Sequence, residues 1–195
     1  SAGAWHTCGV TSSGSVQCWG YDEFGQSSPP SDTFASVSAG WFHTCGLTSS
    51  GSVECWGSDY LGTSSPPSGT FASVSAGYFH NCGVTSSGGV ECWGHDEYGQ
   101  SSPPSGTFDK VSAGGLHTCG VTSSGSVACW GYDEYGQSSP PSGTFASVSA
   151  GEYHTCGLTS SGSVECWGDD YWGQSSPPSD TFASVSASEN HTCGV

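Results

Sequence analysis

The chain of 195 residues carries a net charge of −16, with 17 acidic side chains and Lys110 as its only basic one. Such a chain cannot neutralise phosphates, so we expect no nucleic-acid partner, and anionic membrane surfaces are disfavoured as well. No apolar run approaches the roughly 20 residues of a membrane span, so membrane insertion is not expected. Eleven cysteines indicate an oxidising compartment, and therefore an extracellular or cell-surface location.

A histidine recurs every 37 residues from His6 to His191, and the sequence around it recurs with it. Periods of this length are typical of arrays in which each unit buries its apolar face against its neighbours. We therefore treat residues 1–195 as a single repeat array. Its five complete units and one partial unit are 1–37, 38–74, 75–111, 112–148, 149–185 and 186–195.

The sequence of each unit predicts three short β-strands and no helix, so the expected fold class is all-β. The strands of the first copies are residues 33–40, 6–11 and 15–20, which are rich in β-branched and aromatic side chains. A connection rich in Gly, Ser and Pro follows the third strand. We expect it to cross in extended form and to start the next unit at the opposite rim.

The second and third strands form a hairpin around a Ser-Ser-Gly loop that ends at Gly14. A three-residue loop with Gly in the left-handed position fixes the register of such a hairpin. It places Cys8 opposite Cys18 and Val10 opposite Val16, on the face that is expected to be the core side. Cys8 and Cys18 should form a non-hydrogen-bonded pair, in which the Cα atoms approach to about 4.5 Å.

This register predicts one cross-strand disulfide in every hairpin. Zinc is the alternative, because His6 lies two residues before Cys8 on the same face, but the closely spaced Cys-x2-Cys of structural zinc sites is missing. We expect no metal and no cofactor. The predicted disulfides are Cys8–Cys18, Cys45–Cys55, Cys82–Cys92, Cys119–Cys129 and Cys156–Cys166.

Cys193 is the odd cysteine, and a partner ten residues further on would lie beyond Val195. We expect that the array continues and that Cys193 pairs in the next unit. The alternative is a free cysteine that links two chains.

The recurring motif SAGxxHTCGVTSSGSVxCWGxDxxGQ resembles the RCC1-type repeat, in the short three-stranded, BLIP-II-like form of bacterial secreted proteins. The resemblance covers the whole chain. It implies β-propeller blades, usually about seven per closed ring. With five units and a fragment, the array is either of the propeller type or an open superhelix.

Two departures limit what the resemblance implies. The family usually has Asn where this chain has Asp22, Asp59, Asp96, Asp133 and Asp170. The basic residues and hairpin insertions that serve chromatin binding and nucleotide exchange in the eukaryotic namesake have no counterpart here, so that function is not expected.

The units differ from one another at two places, the pair after SAG and the positions around the acid after CWG. The hairpin register brings both places to one rim, which is aromatic and acidic, whereas the opposite rim carries the uniform TSSG turns. Aromatic rings near carboxylates suit a protein or glycan ligand, although packing between blades also explains many of them. The residues of this predicted binding rim are Trp5, Tyr21, Phe24, Trp41, Phe42, Tyr60, Tyr78, Phe79, Tyr98, Tyr132, Tyr135, Tyr153, Tyr171 and Trp172.

The repeated histidines are expected to be packed, hydrogen-bonded residues. Near-identical copies of one Ser-His-Asp set do not make a catalytic site, so we expect no enzyme and no catalytic residue. Asn190-His191-Thr192 is a glycosylation acceptor sequence, which makes Asn190 a candidate site.

Two functions remain. The sequence favours a structural array that forms a filament, stalk or surface layer through self-association or through neighbouring repeats, because the units are nearly identical. The alternative is a propeller binding module that recognises a protein or a glycan through the variable rim.

Overall fold

The computed structural model describes residues 1–195 as a chain of β-strands with a single short 3-10 turn at Tyr60–Gly62. No helix is long and apolar enough to cross a membrane. The strands, in chain order, are β1 (His6–Val10), β2 (Val16–Gly20), β3 (Phe34–Ala39), β4 (His43–Thr48), β5 (Val53–Gly57), β6 (Phe71–Ala76), β7 (His80–Thr85), β8 (Val90–Gly94), β9 (Phe108–Ala113), β10 (His117–Thr122), β11 (Val127–Gly131), β12 (Ser147–Ala150), β13 (His154–Leu158), β14 (Val164–Gly168), β15 (Val185–Ala187) and β16 (Thr192–Gly194).

The strands form six antiparallel sheets, which we number as blades one to six in chain order. Blades two to five have three strands each, namely β3–β5, β6–β8, β9–β11 and β12–β14. Blade one consists of β1 and β2 with an isolated bridge from Ala2 to Thr7, and blade six consists of β15 and β16. The prediction of three-stranded blades is confirmed. The predicted boundary between units 1–37 and 38–74 falls inside β3, the first strand of blade two, so predicted units and observed blades are offset by a few residues.

The predicted register of the hairpins is confirmed in every blade that has both strands. Cys8 lies opposite Cys18 and Val10 opposite Val16. The Cα atoms of each cysteine pair are 4.1 Å apart, and all five predicted disulfides are formed. The loop closes as expected, with Gly14 at φ +85° in the left-handed region.

The core lies between blades, because the face of one blade packs on the opposite face of the next. Between blades one and two, Cys8 and Val16 pack against Phe34. Phe34 lies over Gly46 of its own blade, where a Cβ atom would come within 2.5 Å of the ring, and its centroid is 5.7 Å from that of Trp56. The repeated Gly of the second strand is therefore explained by the Phe ring that covers it.

The connection between blades runs back to the TSSG rim, as predicted. Phe34 begins the first strand of blade two by donating its backbone N–H to the carbonyl of Gly14, in the turn of blade one, at 2.8 Å. The same bond joins Phe71 to Gly51 and Phe108 to Gly88. Each first strand then ends at the opposite rim, beside the variable positions.

The ends of the first strands converge on one cavity of about 610 Å³. Its walls are the small Ala-Gly residues of the SAG segments, and both ends of the chain contribute, with Trp5 from blade one and Glu189 from blade six. The blades are therefore arranged around a common central space.

Candidate functional site

A buried junction joins each blade to the next and positions the rim above it. His6 lies 2.6 Å from the hydroxyl of Thr44 through Nε2, and Thr44 donates its hydroxyl hydrogen to the carbonyl of Gln26 at 3.0 Å. Because the hydroxyl has only one hydrogen, Nε2 must be the donor to Thr44. The same His–Thr bond recurs at His80, His117 and His154.

The junction histidines are neutral. Burial lowers the pKa of His43 to about 4 and the pKa values of His80 and His117 to about 3. In His80 and His117 the other ring nitrogen, Nδ1, is buried without a hydrogen-bond partner, so a second proton would have no acceptor. The expectation of packed, hydrogen-bonded histidines is confirmed.

A buried glutamine within the connection completes the junction in four of the five complete units, and sequence reasoning missed it. The carbonyl of Gln100 accepts from Thr118 at 3.0 Å and from the indole Nε1 of Trp130 at 2.9 Å. The side-chain oxygen of Gln100 accepts the backbone N–H of Tyr98 at 2.9 Å. The only signal in the sequence was the recurrence of Gln after Gly in the motif. Gln is mostly exposed in proteins, so its burial here indicates a structural role.

The Asp that replaces the family's usual Asn holds the rim loop in place. Asp133 accepts the backbone N–H of Ser138 at 2.7 Å through one oxygen and the hydroxyl of Ser139 at 2.6 Å through the other. The equivalent Asp makes the same two bonds in the other four loops. No group of three or more His, Cys, Asp or Glu side chains is placed to hold a metal ion.

The two variable places meet at one rim, joined by a backbone hydrogen bond in each hairpin. Tyr21 donates its N–H to the carbonyl of Trp5 at 2.9 Å, and Tyr132 does the same to Leu116 at 2.9 Å. The TSSG turns lie at the other end of the strands. The chain therefore has one uniform rim and one variable rim.

The aromatic residues of the variable rim form a continuous arc across neighbouring blades. Ring centroids are 5.3 Å apart between Phe24 and Phe42, 4.8 Å between Trp41 and Phe79, and 4.9 Å between Tyr98 and Tyr132. Further pairs extend this aromatic arc from Tyr21 to Tyr153 without a break. Tyr171 and Trp172 form a separate pair, with centroids 4.8 Å apart.

The rim residues differ in exposure, and this separates exposed rings from half-buried ones. Trp41, Phe42, Tyr78, Phe79, Tyr132 and Tyr153 are half-buried and pack across blades. The exposed ones are Trp5, Tyr21, Phe24, Tyr60, Tyr98, Tyr135, Tyr171 and Trp172. Packing between blades therefore explains the half-buried rings, and a ligand surface on the exposed rings stays a prediction.

Carboxylates lie among these rings and bond to them. Tyr21 donates its phenol hydrogen to Glu23, and Tyr132 donates to Glu134, which raises the pKa of Tyr132 to about 12. Burial, with Glu189 and Glu152 as nearby charges, raises the pKa of Tyr78. The rim therefore presents rings and negative charge together. Cys193 and Asn190 are exposed, and Cys193 is the free cysteine of the chain.

Fold and site together define a class: tandem three-stranded blades with buried inter-blade junctions and one variable rim. The family model of the Regulator of chromosome condensation (RCC1) repeat matches residues 1–26, 34–63, 71–100, 108–137 and 145–174. The chain belongs to this family, which confirms the resemblance. No curated protein sequence matches the chain.

The similar solved structures include two plant receptor ectodomains. The ectodomain of the Physcomitrella patens receptor kinase CR4 is 29% identical with a TM-score of 0.83, and the match covers 99% of this chain but 56% of that one. The CRINKLY WD40 ectodomain of the Arabidopsis thaliana receptor kinase ACR4 is 31% identical with a TM-score of 0.81, covering 99% and 74%. The chain thus spans a little over half of the first of these structures.

A more distant match is Prp20p of Saccharomyces cerevisiae, whose structure is described together with its binding to Gsp1p and histones. It is 15% identical with a TM-score of 0.79, over 96% of this chain and 66% of that one. At this identity the match shows the fold alone.

Proposed function

We propose that the chain is a non-catalytic, extracellular binding module that holds a protein partner on its variable rim. The observation that carries the proposal is the aromatic arc. The positions that differ between otherwise near-identical units are the positions that build it. A surface of exposed rings over a rigid scaffold is typical of protein recognition.

The charge of the chain indicates the chemistry of the partner. With a net charge of −16 and carboxylates such as Glu23 and Glu134 among the rings, the rim favours a basic partner. Five disulfides and the similarity to receptor ectodomains support a location outside the cell.

A binding screen with rim variants tests the proposal. The immobilised chain would be probed with basic peptides, acidic peptides and a glycan array. Tyr98→Ser combined with Tyr135→Ser should weaken the binding of basic peptides at least tenfold, whereas Ser87→Ala on the TSSG rim should leave it unchanged. Binding that is equally strong in all variants, or confined to glycans, would contradict the proposal.

A second candidate is the structural array, which the near-identity of the five complete units favours. In a head-to-tail contact between copies, Trp19, which is 60% exposed, would take the place that Trp130, which is 9% exposed, has inside a junction. A head-to-tail contact between copies would repeat the internal junction and build an open assembly.

Light scattering as a function of concentration separates the two candidates. The structural array predicts assemblies that grow with concentration and that Trp19→Ser abolishes. A monomer at every concentration would leave the binding module as the function.

A further inference from the structure

One junction differs from all the others, and a pocket lies beside it on the variable rim. Blade two carries Thr63 where the other connections carry Gln, and it carries Ser58 where they carry Tyr21, His95, Tyr132 or Asp169. Both replacements shorten the side chain. The pocket, of about 310 Å³, is lined by Phe24, Phe42, His43, Ser58, Tyr60, Thr63, Tyr78 and Phe79.

The missing glutamine explains the space. In the next unit the Gln100 amide reaches the ring nitrogen Nδ1 of His95 at 2.7 Å, so it spans the region between these two positions. Thr63 is too short to do this. Its hydroxyl bonds instead to the carbonyls of Ser58 and Tyr60, at 2.8 and 3.1 Å. The volume that an amide fills in the sister blade is left open.

The same replacement changes the backbone of the loop. In the other four loops the Gln side-chain oxygen accepts the backbone N–H two residues earlier, at 2.8 to 3.0 Å. Thr63 offers no such acceptor to Leu61. The loop forms a 3-10 turn, and Leu61 takes φ 60°, which makes it the one non-glycine residue with positive φ. That conformation costs about 1–2 kcal/mol.

The chemistry of the walls indicates what the pocket accepts. Five of its eight lining residues are Phe or Tyr, and no Asp, Glu or Lys lines it. The hydroxyl of Ser58 already accepts the N–H of Tyr60 at 3.3 Å, and Thr63 is bonded within its loop. The Thr63 hydroxyl hydrogen is therefore already used, so a sugar would find few polar partners among mostly aromatic walls, whereas an apolar ring needs none.

We propose that this pocket is the anchor site of the rim and that it takes a large aromatic side chain of a protein partner, flanked by basic residues. The inference rests on the proposed function of the rim. The aromatic walls select the anchor ring. The basic flanks follow from the charge near the pocket, since Glu152 and Glu189 lie near its wall residue Tyr78 in a chain of net charge −16. Buried aromatic anchors in pockets at the centre of an interface carry most of the binding energy in protein complexes.

The probe for the test is the tripeptide Lys-Trp-Lys with a fluorinated indole, titrated with the full chain and followed by ¹⁹F NMR. Lys-Ala-Lys, in competition, measures the contribution of charge alone. We expect saturable binding of the tryptophan peptide and at least tenfold weaker competition by the alanine peptide. Absence of saturable binding, or equal affinity of both peptides, would overturn the inference.

Thr63→Gln is the decisive variant, because it restores the residue that the sister blades carry and should fill the pocket without loss of stability. It should weaken Lys-Trp-Lys binding at least tenfold. The same Thr→Gln change at the exposed Thr70, on the TSSG rim, should leave binding unchanged. Unchanged affinity in Thr63→Gln would overturn the pocket. If Tyr98→Ser combined with Tyr135→Ser still abolished binding in the basic-peptide screen, the function of the rim would stand without the pocket.

Discussion

Acid should unfold this protein through the junction histidines, well above the pH at which carboxylates titrate. His43, His80 and His117 are neutral in the folded chain because burial lowers their pKa values to about 4, 3 and 3. In the unfolded chain an exposed histidine titrates near pH 6.5. Below that pH the unfolded state binds more protons than the folded state, so stability must fall as the pH falls.

The size of the effect follows from the two sets of pKa values. Between pH 7.5 and pH 5 each of these histidines is protonated only in the unfolded chain, which costs about 2 kcal/mol per residue. The three together cost about 6 kcal/mol, against a typical total stability of about 5–15 kcal/mol. Carboxylic acids in model peptides titrate near pH 4, below this window.

Urea unfolding, followed by tryptophan fluorescence with the disulfides intact, measures the effect at pH 7.5, 6.5, 5.5 and 5.0. His80→Gln keeps a donor toward Thr118 but removes one titrating group, so the pH slope should fall by about 1.4 kcal/mol per pH unit. Ser87→Ala, on the TSSG rim, should keep the parent slope. A urea midpoint that stays constant from pH 7.5 to pH 5 would refute the reasoning.

Three further predictions concern the blades themselves. Alkylation without reductant should label one thiol, that of Cys193, whereas alkylation with reductant and urea should label all 11 cysteines. Labelling of the paired cysteines without reductant would contradict the disulfides and favour zinc. In urea unfolding, Gly46→Ala should lower the unfolding free energy by about 1–3 kcal/mol, because the added Cβ would meet the Phe34 ring at 2.5 Å. Gly9→Ala, at the same repeat position, is the control and should cause no loss, because its Cβ would meet nothing within 4 Å. Trp130→Phe should cost about 1 kcal/mol in the same assay, because it removes the indole bond to the Gln100 carbonyl, and an unchanged midpoint would show that this bond contributes nothing.

Local sequence patterns were sufficient to predict the strands, their register and the disulfides. The loop ending at Gly14 determines which residues face each other, so the pairing of Cys8 with Cys18 follows from counting outward from the turn. The variable rim followed from the same counting. These features depend on interactions within about twenty residues, where turn geometry and side-chain alternation decide the outcome.

The features that the sequence did not reveal depend on contacts between blades. The Gln100 carbonyl bonds to Thr118 and Trp130, which belong to the next blade, and only the packing of the two blades brings them together. The pocket beside Thr63 was missed for the same reason. The change from Gln to Thr is visible in the sequence, but its meaning depends on what the glutamine touches in the sister blades.

Blade two shows how the two rims and the junctions are related. Most rim positions contribute only side chains at the surface, so they can vary without disturbing the junction below. Thr63 is different, because it occupies a junction position, and its replacement of Gln leaves Leu61 in a left-handed conformation. A change that strains the backbone and leaves a pocket lowers stability without any gain in packing. The strained loop and the aromatic pocket lie at the same place on the rim, and a ligand that fills the pocket would offset that cost. For this reason the anchor site is assigned to blade two.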